Sequence, residues 1–222
     1  MVFSSLEFIF IFFPIFIVTY YMMPARMKNL WLLAGSILFY TFGSLQKPEH
    51  VVLFVLSLVF NYLAGVLLDR YPGRILFLFG IGVNLLYLGC FKYWLHVLPI
   101  GFGFYTFQAI SYLCDVGQRK CKADRSFINF GTYLSMFPQL IAGPIVKYPD
   151  IREQLLSRKH NLENVVHGLQ YFVLGLGSKV ILANRIGVLW TQLSAIGYES
   201  ISTPLAWMGL IAFSLQIYFD FS

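Results

Sequence analysis

The chain has 222 residues, of which 58% are hydrophobic and only 12% charged. That balance, with several apolar runs approaching 20 residues, exceeds what a soluble core of this length uses and excludes an ordinary water-soluble domain. The formal net charge of +6 would suggest nucleic acid in a soluble protein, but the basic residues cluster in short loops between apolar spans, where the positive-inside bias accounts for them. The expectation is an all-α, polytopic transmembrane protein whose solvent is the lipid bilayer and which binds no nucleic acid.

The first span is expected over Ser5 to Met23, with Arg26 and Lys28 after it. A secretory signal carries its positive charge before a shorter apolar run, so this segment reads as a retained span. Span two, Leu30 to Phe42, is about 13 residues and extends into its flanks; span three is Val51 to Leu68 and span four Ile75 to Phe91, with a tight turn at Tyr71-Pro72-Gly73 between them. Tyr20, Tyr21, Trp31, Tyr40, Tyr93 and Trp94 fall near span ends, as interfacial anchors do.

A fifth span is expected over Leu98 to Val116. With the N-terminus outside, it returns to the cytoplasm and meets the basic cluster Arg119, Lys120, Lys122 and Arg125. The next apolar segment, Ser126 to Val146, is long enough to cross, but one crossing would strand Lys147, Arg152, Arg158 and Lys159 outside. At about 1 kcal/mol per basic residue near an anionic surface, a re-entrant hairpin is preferred. Pro138 would lie near its turn, with Gly143 and Pro144 on an irregular returning arm.

Asn161 is a plausible N-cap for a helix over Leu162 to Trp190, with Glu163, His167 and Gln170 on one solvated face. Lys179 and Arg185 lie deeper in it, where a basic group is costly unless it faces the bundle or snorkels. Thr191 to Thr203 reads as an external loop, and Pro204 to Ser222 as a last span that is cut in mid-element. The whole, residues 1–222, reads as a single incomplete membrane domain.

Little soluble-enzyme chemistry is visible. Gly101-Phe-Gly103 and Gly175-Leu-Gly177 lack the strand-turn-helix context of a nucleotide site. Three cysteines, Cys90, Cys114 and Cys121, have no metal-ligand spacing and an odd count, so neither a metal centre nor a disulfide framework is expected. His50, His96, His160 and His167 read as surface residues, not general bases. The candidates for a polar substrate tunnel are Gln108, Ser111 and Tyr112 of the fifth span, Gln139 of the hairpin, and Asp220 in the last span. Asp220 could equally form a structural ion pair with Lys179 or Arg185.

Three ordered blocks, Leu-Pro-Ile-Gly-Phe-Gly-Phe-Tyr-Thr-Phe-Gln-Ala-Ile-Ser-Tyr-Leu (98–113), Phe-Pro-Gln-Leu-Ile-Ala-Gly-Pro-Ile-Val (137–146) and Tyr-Phe-Asp-Phe-Ser (218–222), resemble the membrane-bound O-acyltransferase family. Within it they are similar to the bacterial alginate O-acetylation branch, as is Phe91-Lys92-Tyr93-Trp94. The resemblance implies an enzyme of the bacterial inner membrane that passes an acyl group, expected to be acetyl, to hydroxyls of an extracellular polysaccharide such as alginate. It implies no tightly bound cofactor, a cytoplasmic donor that is acetyl-coenzyme A or an acyl-carrier thioester, and periplasmic acetylation partners. In that family the essential histidine lies beyond the block that ends this chain at Ser222. None of the four histidines matches it, so the resemblance assigns catalysis to no residue here and implies that the 222-residue polypeptide alone is inactive. Transfer of D-alanyl or another acyl group to a cell-wall polymer, a transporter or channel, and a non-catalytic scaffold remain alternatives.

Overall fold

Prolines and glycines punctuate the chain, and the apolar stretches between them coil. In a computed structural model, which describes residues 5–94, 99–140, 143–158, 161–197 and 200–221, helix α1 (Phe8–Met22) ends where Met23 turns extended before Pro24. Helix α2 (Lys28–Gly43) follows, then α3 (Glu49–Arg70) after Pro48 and α4 (Arg74–Trp94) after Gly73. Helix α5 spans Phe102–Gly117. Shorter helices α6 (Phe127–Ser135), α7 (Phe137–Leu140) and α8 (Tyr148–Leu156) precede α9 (Leu162–Ile196) and α10 (Thr203–Phe221). The described residues hold helices and connections but no strand. Among the described residues four helices, α3, α4, α9 and α10, are long and apolar enough to cross a membrane, which bears out the all-α polytopic fold.

Several boundaries move from where composition put them. Spans three and four run longer, to 22 and 21 residues. The fifth helix starts at Phe102 instead of Leu98, because Pro99 and Gly101, at φ 68°, make a left-handed turn before it. Its 16 residues extend roughly 24 Å, short of the ~30 Å hydrocarbon depth. Helix α9 runs through the expected loop start at Thr191 to Ile196 and reaches 35 residues. A π-helical turn, Ser178–Ala183, interrupts it and carries Lys179. Tyr40 is not an interfacial anchor but 2% exposed, its ring 4.6 Å from Phe54.

The chain forms two compact units, Met1–Arg158 and Lys159–Ser222. In the first, α5 is the axis: α3, α4, α6 and α8 all pack on it. Phe102, Tyr105, Ala109, Tyr112, Leu113 and Val116 are its buried apolar face. Lipid tails are as apolar as leucine, so close packing and polar contacts hold such helices together. Small residues supply the closeness: a Cβ on Gly65 of α3 would stand 2.5 Å from the Tyr112 ring. Polar glue is supplied by Asn61 of α3 and Asn84 of α4, both buried, whose amides bond reciprocally at 3.1 and 2.8 Å.

Residues 124 to 140 and 143 to 148 are the two arms of a closed hairpin. Helix α6 holds nine residues, begins with Ser126 accepting from the Asn129 N–H, and breaks at Met136. From Gly143, at φ 132°, to Lys147 the backbone is non-helical. The returning arm comes back beside the outgoing one, since the Tyr133 hydroxyl donates to the Val146 carbonyl at 3.0 Å. Pro138 lies in the first turn of α7, where its missing N–H costs nothing. In the second unit the part of α9 from its π turn onward packs on α10.

Candidate functional site

Helical spacing places Tyr105, Gln108, Tyr112 and Asp115 on one face of α5, and all four are at most 5% exposed. Polar groups this deeply buried need partners. The hairpin meets this stripe and supplies partners to its two middle residues, Gln108 and Tyr112.

At the level of Gln108, its Nε2 donates to the Tyr133 carbonyl at 3.1 Å and to Gln139 Oε1 at 3.3 Å. The hairpin break at Met136 makes this possible, because it turns α7 back so that Gln139 faces α5. One turn further, the Tyr112 hydroxyl accepts from the Asp124 N–H at 3.2 Å. The Asp124 carboxylate takes the Ser126 N–H at 2.8 Å on Oδ1 and the Tyr148 hydroxyl on Oδ2. Tyr148 packs edge-on against Tyr112 and Tyr133, with ring centroids 5.2 and 5.1 Å apart, and those two rings lie tilted at 6.2 Å. The entrance and exit of the hairpin are thereby pinned to each other and to α5.

Asp115 ends the stripe with its Oδ2 buried and receiving no hydrogen bond from the described residues. The surroundings are electrostatically tight. Burial first, and the nearby Asp115 carboxylate second, push the Cys121 thiol up to about 11. Burial and then the bond to Asp124 hold the Tyr148 phenol far above its ordinary range. These two groups therefore stay protonated, and beside the Asp115 and Asp124 carboxylates the seam offers neutral donors and amide dipoles, not an activated nucleophile. Such groups can hold and orient a carbonyl or hydroxyl, which is positioning chemistry.

Of the candidates drawn from sequence, Gln108, Tyr112 and Gln139 come together in this seam. Ser111 lies beside it, half-buried, with no polar contact among the described residues. Asp220 belongs to the second unit, where Lys179 Nζ reaches its Oδ1 at 2.5 Å. The pairing alternative is the one observed, with Lys179 and not with the exposed Arg185. Gln216 of α10 lies against Gly187 of α9, its Oε1 buried without a partner.

The histidines divide. His50 is not a surface residue: it sits in the first turn of α3 with 6% exposure, because α3 begins two residues earlier than expected. His167 is exposed, 3.9 Å from Glu163, on the solvated face read from the sequence. His96 and His160 lie outside the described residues, as does Ser222. No group of three His, Cys, Asp or Glu among the described residues could hold a metal, and the three cysteines are free.

Sequence reasoning missed Asp115, Asp124, Tyr133 and Tyr148. For Asp115 a signal existed, since it continues the 105–108–112 spacing. For Tyr148 none did, because its partners lie 24 and 36 positions away. Two apolar grooves lie elsewhere, one on α4 around Gly82, Gly89 and Trp94, the other between α3 and α4 around Ser57, Asn84 and Tyr87.

Relatives of known name bear out the resemblance drawn from the three sequence blocks. The "Probable alginate O-acetylase" of Pseudomonas putida is 34% identical over all of this chain and 50% of its own length. That of Pseudomonas aeruginosa is also 34% identical, over 47% of its length. The "Peptidoglycan O-acetyltransferase" of Helicobacter pylori is 30% identical, over 52% of its length. The chain spans about half the length of the curated relatives it matches. No family model matches it, and no solved structure does.

Proposed function

We propose that this chain is part of a membrane-bound O-acyltransferase of the alginate O-acetylation branch, which passes acetyl to hydroxyls of an extracellular polysaccharide. The observation that carries this is its similarity, over all of this chain and about half of their length, to proteins named for O-acetylation, of alginate in most and of peptidoglycan in one. The geometry supports it by placing neutral hydrogen-bond donors inside a helical bundle. Gln108 and Gln139 meet there, between the α5 axis and a hairpin whose open ends carry the basic loops.

Charge sets the direction. The basic stretches 118–125 and 147–158 flank the same end of the hairpin, which the positive-inside bias assigns to the cytoplasm and puts the N-terminus outside. A thioester donor, acetyl-coenzyme A or an acyl carrier, would approach at that face of the bacterial inner membrane. The acceptor polymer and acetylation partners would lie at the opposite face. Moving an acyl group to an alcohol needs a base or relay nucleophile. The protonated Cys121 thiol and Tyr148 phenol of the seam supply neither. Neither buried His50 nor exposed His167 stands in it, and Gln108, Gln139 and Tyr112 act as positioning residues.

Deleting the coding sequence from its host tests this. Alkali-labile acetate on the extracellular polysaccharide, measured by mass spectrometry, is expected to fall to background and to return with the wild-type gene. Complementation with Gln108→Leu is expected to restore about tenfold less, in line with the loss of one or two positioning contacts. Unchanged acetate in the deletion strain would sink the proposal.

A further inference from the structure

Helix α9 is longer than the membrane it crosses. Its 35 residues extend roughly 52 Å, against ~30 Å of hydrocarbon and about 40 to 45 Å of whole bilayer. Part of it therefore has to lie in or beyond the headgroup layer, and its residues show which part. From Phe172 to Gly177 every position is apolar or glycine. From Leu162 to Tyr171 the helix is two-sided. Glu163, His167 and Gln170 follow one another at helical spacing, and Leu162, Val165, Val166 and Leu169 do so on another face. Neither stripe is covered by protein among the described residues. No residue from Leu162 to Gly177 is buried. The four apolar side chains are 37 to 78% exposed, and Glu163 and His167 are 73% and 60% exposed.

An apolar stripe in water is unfavourable, and a polar stripe in hydrocarbon more so. The bilayer interface satisfies both at once, because one side of a helix lying in it meets acyl chains and the other meets water. Since these residues are continuous with a crossing helix, a membrane surface has to cut α9 somewhere. The change from two-sided to wholly apolar at Tyr171 and Phe172 marks the place. Tyr171, 76% exposed, is a residue type that gathers at that depth. Lys179, two turns further on, then lies up to about 12 Å inside the hydrocarbon. A cation there needs a counter-charge, which agrees with its pairing to Asp220.

We propose that residues 162–171 form a ramp in the membrane interface. Leu162, Val165, Val166 and Leu169 dip into the acyl chains, and Glu163, His167 and Gln170 face water. The partner of this surface is the lipid headgroup layer itself, and the ramp sets the tilt of α9 and the depth of Lys179. It does not depend on the proposed function.

The test is an accessibility scan by electron paramagnetic resonance in vesicles of phosphatidylcholine and phosphatidylglycerol. A nitroxide is placed in turn on a single cysteine at each position from 162 to 173 of the 222-residue chain, carrying Cys90→Ser, Cys114→Ser and Cys121→Ser. Oxygen dissolves in acyl chains, and a nickel chelate stays in water. The ratio of oxygen to chelate collisions is expected to be about tenfold higher at 165, 166 and 169 than at 163, 167 and 170. High chelate access at all six positions would mean a helix standing free in water. Low access to both reagents at 165, 166 and 169 would mean a covering protein segment, and either result overturns the proposal. A second measurement needs no substitution. In lipid nanodiscs, hydroxyl radicals should oxidise His167 and Tyr171 of the wild-type chain at least about tenfold faster than Leu162 and Leu169, after correction for intrinsic reactivity. Leucine oxidation at the rate of a solvent-exposed side chain overturns the proposal as well.

Discussion

Replacing Tyr148 by Phe removes one oxygen and leaves the ring. The hydroxyl donates to Asp124 Oδ2, and this bond closes the mouth of the hairpin. Phe would keep the edge-on packing on Tyr112 at 5.2 Å and on Tyr133 at 5.1 Å, so the variant isolates the hydrogen bond from the packing. A bond to a partly buried carboxylate contributes about 1.5 to 3 kcal/mol, and its loss leaves an acceptor without a donor. That range corresponds to roughly a 10- to 150-fold rise in the open population of the hairpin. Hydrogen–deuterium exchange followed by mass spectrometry reads it directly, since the amides of α6 exchange through local opening. Peptides covering 127–140 should exchange faster by at least about tenfold, while those of α10 keep their rate. Asp124→Asn should act in the same direction. If the hairpin amides exchange at the wild-type rate in both variants, the latch contributes nothing and packing alone closes the hairpin.

Two further outcomes follow from the charges. Lys179→Met leaves the Asp220 carboxylate, 22% exposed, without its cation, and is expected to destabilise by about 2 kcal/mol. Lys179→Met with Asp220→Leu should recover most of that loss in thermal unfolding, and equal melting temperatures for the single and double variants would refute a functional coupling of the pair. The Cys121 thiol, raised to about 11 by burial and then by Asp115, is about one part in a thousand thiolate at pH 8. Its iodoacetamide labelling, followed by peptide mass spectrometry, should therefore climb about tenfold per pH unit towards pH 11, and a plateau near pH 9 would show that the thiol is not buried as described.

Much of this protein was set by local chemistry that a linear chain carries. Apolar run length, proline and glycine punctuation, and the loop distribution of Lys and Arg determined that it is helical, membrane-spanning and interrupted by a hairpin at 126–146. Each of those depends on residues close in sequence and on the solvent. The N-cap at Asn161 belongs with them, its side chain accepting from the Glu163 N–H at 3.3 Å. So does the solvated stripe of Glu163 and His167.

Tertiary structure decided which polar groups meet. Gln108 and Gln139 are 31 positions apart, Asn29 and Leu155 126, and Lys179 and Asp220 41. A bilayer supplies no water to satisfy a buried amide or carboxylate, so each must find a partner on another helix. Which partner it finds depends on crossing, rotation and register between helices. Those in turn depend on where α5 begins after Gly101, on the close approach of Gly65 to Tyr112, and on the π turn that carries Lys179. Composition and periodicity carry no term for such distances. The same reason hides His50 from a linear reading: whether a histidine two residues after a proline is bathed or buried depends on the helices around it.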